Sequence, residues 1–404
     1  MEVGMTSETG LPPVRKVVGW QLHGLIFTTL YCVFMNAAPS AFGMSAMWLF
    51  AVVLAVALGG WQLFYAHYRT LICGVFALIG FSVLTARIPG RAAGGGYELL
   101  RSLTLMLPAL VLIAQDARPQ VMNWLKAYVL VFSLVFGGVY LASIAPPGPN
   151  VRIYAWADEY FGNPHNLINV SATVLLSAIV MLAFERSGRM RMVFTALLVF
   201  AAWMQWVLQS EGSYLAFAIC ACAWVALRYR GWLSLLGVLG VLGGVALYAL
   251  LMAYADLATA RSGVSLGGFE IRALIDARVL ALVAESPWVG YGMNNFKGFA
   301  EATIQGVSFL HPHQIYLEAL FSFGVLGCVL FAAMIYGVFR FSSRAAVLAD
   351  PLAMLGFLLV IYMAGKGLTD MKLIDIQPLG IFMLGAGFMA RRSLFTRPLQ
   401  NLEA

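Results

Sequence analysis

Charge is scarce in this 404-residue chain: Lys, Arg, Asp and Glu together make up 11% of it. A soluble domain usually carries about 25%, so there is too little polar surface here to cover a water-facing body of this size. That excludes a soluble enzyme and an intrinsically disordered chain. Cysteine is equally sparse. Cys32, Cys73, Cys220, Cys222 and Cys328 all fall inside apolar runs, where a thiol behaves as a small apolar group, so a disulfide scaffold and a cysteine metal site are excluded as well. What is abundant is hydrophobic sequence, at 61% of residues with a mean hydropathy of +0.85. The composition defines an all-α polytopic membrane protein.

A hydrocarbon core about 30 Å thick takes roughly 20 apolar residues per helical span. Twelve windows qualify, near 19–39, 43–66, 70–87, 98–114, 121–145, 166–184, 192–209, 212–228, 232–254, 314–339, 350–367 and 376–390. Residues 1–404 thus read as one integral membrane domain. Ala38-Pro-Ser-Ala41 loosely resembles a leader cleavage site, but another span follows at once, so an uncleaved first helix is expected. Basic residues set the orientation. With both termini cytoplasmic, inner loops such as Glu185-Arg-Ser-Gly-Arg-Met-Arg191 collect 15 of the 25 Lys and Arg residues. The net charge of +7 is therefore a topology signal, and nucleic acid is not an expected partner.

Two outer segments are long, one near 145–165 and one near 255–313, between the ninth and tenth spans. The second is expected to carry much of the functional site, since long loops in compact proteins are usually functional. Within it, Gly268–Ser286 reads as a helix. Ile271, Leu274, Ile275, Val279, Leu282 and Val283 recur at near-helical spacing, and Pro287 stops it. It is expected to lie on the outer membrane face or to pack over the bundle.

The strongest chemical signal is His311-Pro-His313-Gln314, where this loop re-enters the membrane. Two of only five histidines stand at one helix entry. An imidazole titrates near about pH 6.5 and can take a proton from a hydroxyl at working pH, so His313 is the candidate general base. Gln314 is expected to orient His313 or the acceptor. A His-x-His metal site would need further ligands, with His165, Asp158 and Glu159 as candidates. No Asp-x-Asp element occurs, so the expectation is a metal-free site without a cofactor. Arg272, Arg278, Arg152, Arg261 and Arg101 lie on the side that should be poor in arginine. Guanidinium groups bind phosphate oxygens in pairs and keep their charge, which suits a diphosphate. Arg272 and Arg278 stand about 240° apart on the loop helix, so at most one of them faces a common site, and Asp276 at i+4 offers Arg272 an ordinary ion pair. Asn163 and Asn166 suit sugar hydroxyls or helix capping.

Over about residues 268–330 the chain resembles the O-antigen ligase and O-antigen polymerase superfamily. The resemblance rests on Arg272 in the loop helix, Pro287-Trp-Val-Gly290-Tyr-Gly292, His311-Pro-His313-Gln314 and Gly324-Val-Leu-Gly327. The spacing of His313, Gln314, Gly324 and Gly327 resembles the ligase branch. One departure is Ser210-Glu211-Gly212, where many members have Ser-Arg-Gly; Arg152 or Arg101 is the expected substitute. The resemblance implies a GT-C-like membrane glycosyltransferase of the bacterial inner membrane with its site facing the periplasm. It would move a glycan from undecaprenyl diphosphate to a hydroxyl of lipid A-core. The alternative is a polymerase joining carrier-linked repeat units. A transporter of polyprenyl-linked glycans is the reading from another class, but the candidate polar groups gather at one membrane face rather than at the midplane. His313 and Arg272 are the expected catalytic pair, with Arg278, Arg152, Arg261, Gln314, His311 and Arg101 around the substrate.

Overall fold

The computed structural model describes residues 19–32, 41–142, 164–208, 210–262, 268–304, 306–339, 342–369 and 371–390. The 145–165 segment up to Asn163, with Arg152, Asp158 and Glu159, lies outside them, as do the termini and Ala38-Pro-Ser of the cleavage-like motif.

The chain is a helical bundle. Its helices are α1 (Gly19–Leu30), α2 (Ala41–Ala57), α3 (Gly60–Thr85), α4 (Pro89–Leu103), α5 (Met106–Ala114), α6 (Arg118–Ala142), α7 (Pro164–Phe184) and α8 (Gly188–Val207). There follow α9 (Glu211–Arg228), α10 (Trp232–Ser262), α11 (Gly268–Glu285), α12 (Ile315–Phe339), α13 (Arg344–Ala349), α14 (Pro351–Lys366) and α15 (Ile376–Phe388). The one sheet among the described residues pairs β1 (Thr303–Ile304) with β2 (Val307–Ser308). Among the described residues, seven helical segments are long and apolar enough to cross a membrane, and four shorter apolar helices accompany them. This is a multi-pass membrane protein, as the composition requires.

Two expected boundaries are corrected. The turn in the region of windows 43–66 and 70–87 lies at Leu58–Gly59, and α3 then continues to Thr85 across a kink at Tyr68, whose backbone is non-helical. Hydropathy alone placed the break at the polar His67–Arg69 step. The fourth span begins earlier than residue 98: Pro89–Ala114 forms one crossing, interrupted at Thr104–Leu105. Its glycine-rich first half has low hydropathy and looks unlike a span. It is nonetheless helical because small residues allow close packing.

The core centres on α5, α7, α14 and α15. Helix α7 is apolar with a polar seam, closed where Asn169 Nδ2 donates to Gln377 Oε1 of α15 at 3.3 Å. At one end of the bundle, Asp350 caps α14 by accepting from Leu352 N at 2.8 Å and pairs with Arg118 of α6 at 2.6 Å. Arg344 donates to the Leu227 and Tyr229 carbonyls at the end of α9, satisfying groups a helix terminus leaves open. The opposite end carries α11 and the chain between it and α12, which together form a cap.

Candidate active site

The cap is built from the glycine motifs. α12 breaks three turns in, at Gly324, whose φ is +58°. The turn after α11 supplies the partners that the broken helix lacks. Tyr291 N donates to Phe321 O at 2.9 Å, Gly292 N to Ser322 O at 2.8 Å, Val325 N to Pro287 O at 2.8 Å and Leu326 N to Trp288 O at 3.1 Å. Gly290, with φ +65°, lies so close that a Cβ there would stand 2.5 Å from Phe321 O. The Pro287–Gly292 turn and the Gly324–Gly327 step are therefore one interlocked backbone junction. Beneath it, Ile275, Val279, Leu282 and Val283 of α11 pack on Phe296, Phe299, Ile304 and Phe321. The expected helix thus forms and packs over the bundle, although Ile271 stays exposed.

His313 sits on the rim of this cap. Its φ is +60°, a left-handed conformation that costs a non-glycine residue roughly 1–2 kcal/mol. The loop compensates: His313 N donates to His311 Nδ1 at 3.1 Å, and Met371 N donates to His313 O at 3.2 Å. The two imidazole rings stand 4.2 Å apart, and Phe309 meets the His313 ring edge-on at 5.8 Å. Gln314 has a structural task, its Oε1 accepting from Leu317 N at 3.2 Å, which caps α12. Among the described residues no group of three or more His, Cys, Asp or Glu is arranged to hold a metal ion.

The arginines are distributed unevenly. Arg272 stands one turn before buried Ile275, whose cluster also includes Phe309, the ring against His313. It acts on Asp276, as the spacing predicts. Burial pushes the Asp276 carboxyl from its ordinary 3.8 up to about 7, and the Arg272 charge pulls part of that back. Arg278 Nη1 donates to Thr303 O at 2.7 Å and Glu301 O at 3.4 Å, which ties α11 to the strand pair. Arg101 ends α4, stacked 5.2 Å over Trp48 and 3.9 Å from Glu98. Arg261 lies on α10, and its side chain, like Arg152, is outside the described residues. The structure thus brings His311, His313, Gln314 and Arg272 to one cap and assigns Arg278 to backbone bonds.

Asp276 gives a testable pH dependence. Its folded-state value lies above its ordinary one, so the folded cap holds the proton more tightly. That contribution is complete at low pH and is lost as pH rises from about 4 through about 7. Asp276→Asn, which resembles the protonated form, is expected to differ little from the wild type in thermal unfolding below about pH 4 and to exceed it by a growing margin up to pH 8. Equal stability across that range would remove Asp276 from this role.

Several residues that sequence reasoning passed over adjoin His313. The last turn of α14 docks on the start of α12, with Ile315 N donating to Gly367 O at 2.9 Å. In that turn Lys366 is fully buried, and its Nζ donates to Ser210 Oγ at 3.1 Å and Ser213 Oγ at 3.3 Å. These serines flank Glu211-Gly212, so an ammonium reaches the helix start from α14. Glu318, also buried, accepts from Leu373 N at 2.7 Å and fixes the strap that carries Lys372. Between α12, α14 and α15 opens a groove of about 140 Å³, lined by Ile315, Phe331, Met363, Leu379 and Phe382, with Tyr316 and Lys372 as its polar members. The available signal was an ionisable residue within apolar sequence, which Glu318 and Lys366 both display.

A helical multi-pass membrane protein with a histidine loop and an apolar groove at one end is the class these features define. Residues 171–332 match the family model described as O-antigen ligase. The match runs from α7 through the cap into α12 and covers less than half of the chain, so over that stretch the chain is similar to the O-antigen ligase family. No curated protein and no solved structure matches the chain.

Proposed function

We propose that the protein is a metal-independent glycosyltransferase of the bacterial inner membrane, moving a glycan from undecaprenyl diphosphate to a lipid A-core hydroxyl at the periplasmic face. The observation that carries this reading is the position of His313, held in a fixed loop two residues before Ile315, which, with Tyr316, lines the apolar groove. The acceptor oxygen forms a bond to the anomeric carbon as the bond from that carbon to the diphosphate breaks. The acceptor proton passes to the His313 imidazole, and undecaprenyl diphosphate leaves with the bonding electrons. A diphosphate needs no protonation to depart, so the protein's tasks are to orient and deprotonate the hydroxyl and to stabilise the growing phosphate charge.

Arg272 is the leading diphosphate clamp. The groove suits the polyprenyl chain, since its walls are apolar and Lys372 stands among its lining residues. Arg152, Arg261 and Arg101 are further candidates around the glycan, and His311 supports His313. Arg272→Lys is expected to lower transfer by about tenfold to a hundredfold, because a point charge replaces a paired fork. A reconstituted assay with purified protein checks this, and undiminished turnover would remove Arg272 from the site. Full activity in the presence of a chelator is the companion expectation; loss reversed by Mn²⁺ or Mg²⁺ contradicts metal independence.

A further inference from the structure

The cap has a second cationic region, away from the histidine loop, that the scheme above leaves unused. The α3–α4 turn is latched to the chain after α11 by three bonds. Ile88 N donates to Asn295 Oδ1 at 2.8 Å, Met293 N to Ser82 Oγ at 2.7 Å and Arg87 N to Tyr291 O at 3.4 Å. Met293 also packs against α4, where a Cβ at Gly95 would stand 2.9 Å from the Met293 Cβ. The latch brings three cations to one short segment. Arg87 lies with its guanidinium carbon 4.7 Å over the Phe299 ring, Arg91 Nη1 lies 3.2 Å from where a Cβ on Gly298 would be, and Lys297 is the exposed neighbour of Gly298.

None of the three forms an ion pair with a carboxylate among the described residues. Glu285 and Glu301 act on the nearby Tyr291 but do not pair with these cations. Arg91 Nη1 is buried and has no hydrogen-bond partner among the described residues, an uncommon state for a guanidinium donor. Three positive groups on a rigid scaffold, with a donor left open and an aromatic ring supporting one guanidinium, match a ligand bearing more than one phosphate. Phe299 and Phe309 belong to one aromatic cluster, so this region and His313 flank the same cap.

We propose that Arg87, Arg91 and Lys297 form an anion site that holds phosphate groups on the saccharide headgroup of the acceptor glycolipid, leaving the carrier diphosphate to the His313 and Arg272 side. This assignment rests on the transferase reading. In liposomes, the Arg87→Gln, Arg91→Gln and Lys297→Gln triple variant should raise the KM for a phosphorylated glycolipid acceptor on the order of tenfold while kcat holds. The KM for the same acceptor after enzymatic dephosphorylation should not change. Direct binding of both glycolipids to purified protein separates the two ideas. Binding that needs the phosphates and the three cations, without transfer by the wild type, overturns the transferase reading but keeps the site. Equal binding by wild type and triple variant overturns the site, as does equal competition from phosphatidylglycerol vesicles, which would make it a phospholipid contact.

Discussion

Replacing His313 by alanine is expected to cut glycan transfer by about a hundredfold to ten-thousandfold, the range a positioned general base supplies, with expression and membrane insertion unchanged. Three features lead to this expectation. His313 leads directly into a helix whose first two residues line the groove, its main chain is fixed by bonds on both sides, and its ring packs on Phe309 and His311. The left-handed backbone complicates the alanine variant, so His313→Asn is the better control. Asparagine tolerates that conformation and cannot serve as a base near neutral pH. Loss in both variants, with wild-type thermal stability in the Asn form, identifies the imidazole as the lost function. Retained turnover in the Asn form would instead make His313 a structural residue of the loop.

The second large effect belongs to Gly324. A Cβ there would lie 2.4 Å from the carbonyl carbon of Trp288 and the amide of Val289, at a φ of +58°. Gly324→Ala therefore has to push the Pro287–Gly292 turn away from α12 and strains its own backbone as well. The expected cost is about 3 kcal/mol or more, seen as a lowered unfolding temperature and faster proteolysis within residues 286–312. Activity should fall with the cap, because α11, the helix that carries Arg272, and the loop bearing His313 share the cluster beneath that junction. Gly337, in the same helix but with open space where a Cβ would stand, is the control: Gly337→Ala should be neutral or slightly stabilising. Matching behaviour of the two variants would mean that the junction does not hold the cap.

Much of this was legible in the sequence. Scarce charge announced the bundle, Pro287 marked the end of α11, and the apolar spacing of Ile275, Val279, Leu282 and Val283 matched their buried face. The histidine loop stood out because histidine is rare here. The glycine motifs were visible as motifs, but their purpose was not. Nothing local indicates that Gly290 and Gly324, thirty-four residues apart, meet backbone to backbone. Arg278 was read by its charge, whereas its position decided its partners, the carbonyls of Glu301 and Thr303. Lys366 and Glu318 escaped notice because each is a single charge inside an apolar run. Their significance comes from docking α14 and its following strap on α12, a long-range contact. The α3 boundary was misplaced for a related reason: hydropathy records composition, and the polar His67–Arg69 step proves to be a kink at Tyr68 within α3, while the turn lies at Leu58–Gly59.

Group transfer at the bundle end bearing His313 differs in its products from passage of a lipid-linked glycan across the membrane. It is tested most directly by incubating the purified protein in liposomes, with chelator present, with undecaprenyl-diphosphate-linked glycan and lipid A-core, and quantifying both products by mass spectrometry. A transferase should place glycan on lipid A-core mole for mole with undecaprenyl diphosphate set free. Intact carrier-linked glycan recovered in the opposite leaflet, with no carrier released, would contradict transfer.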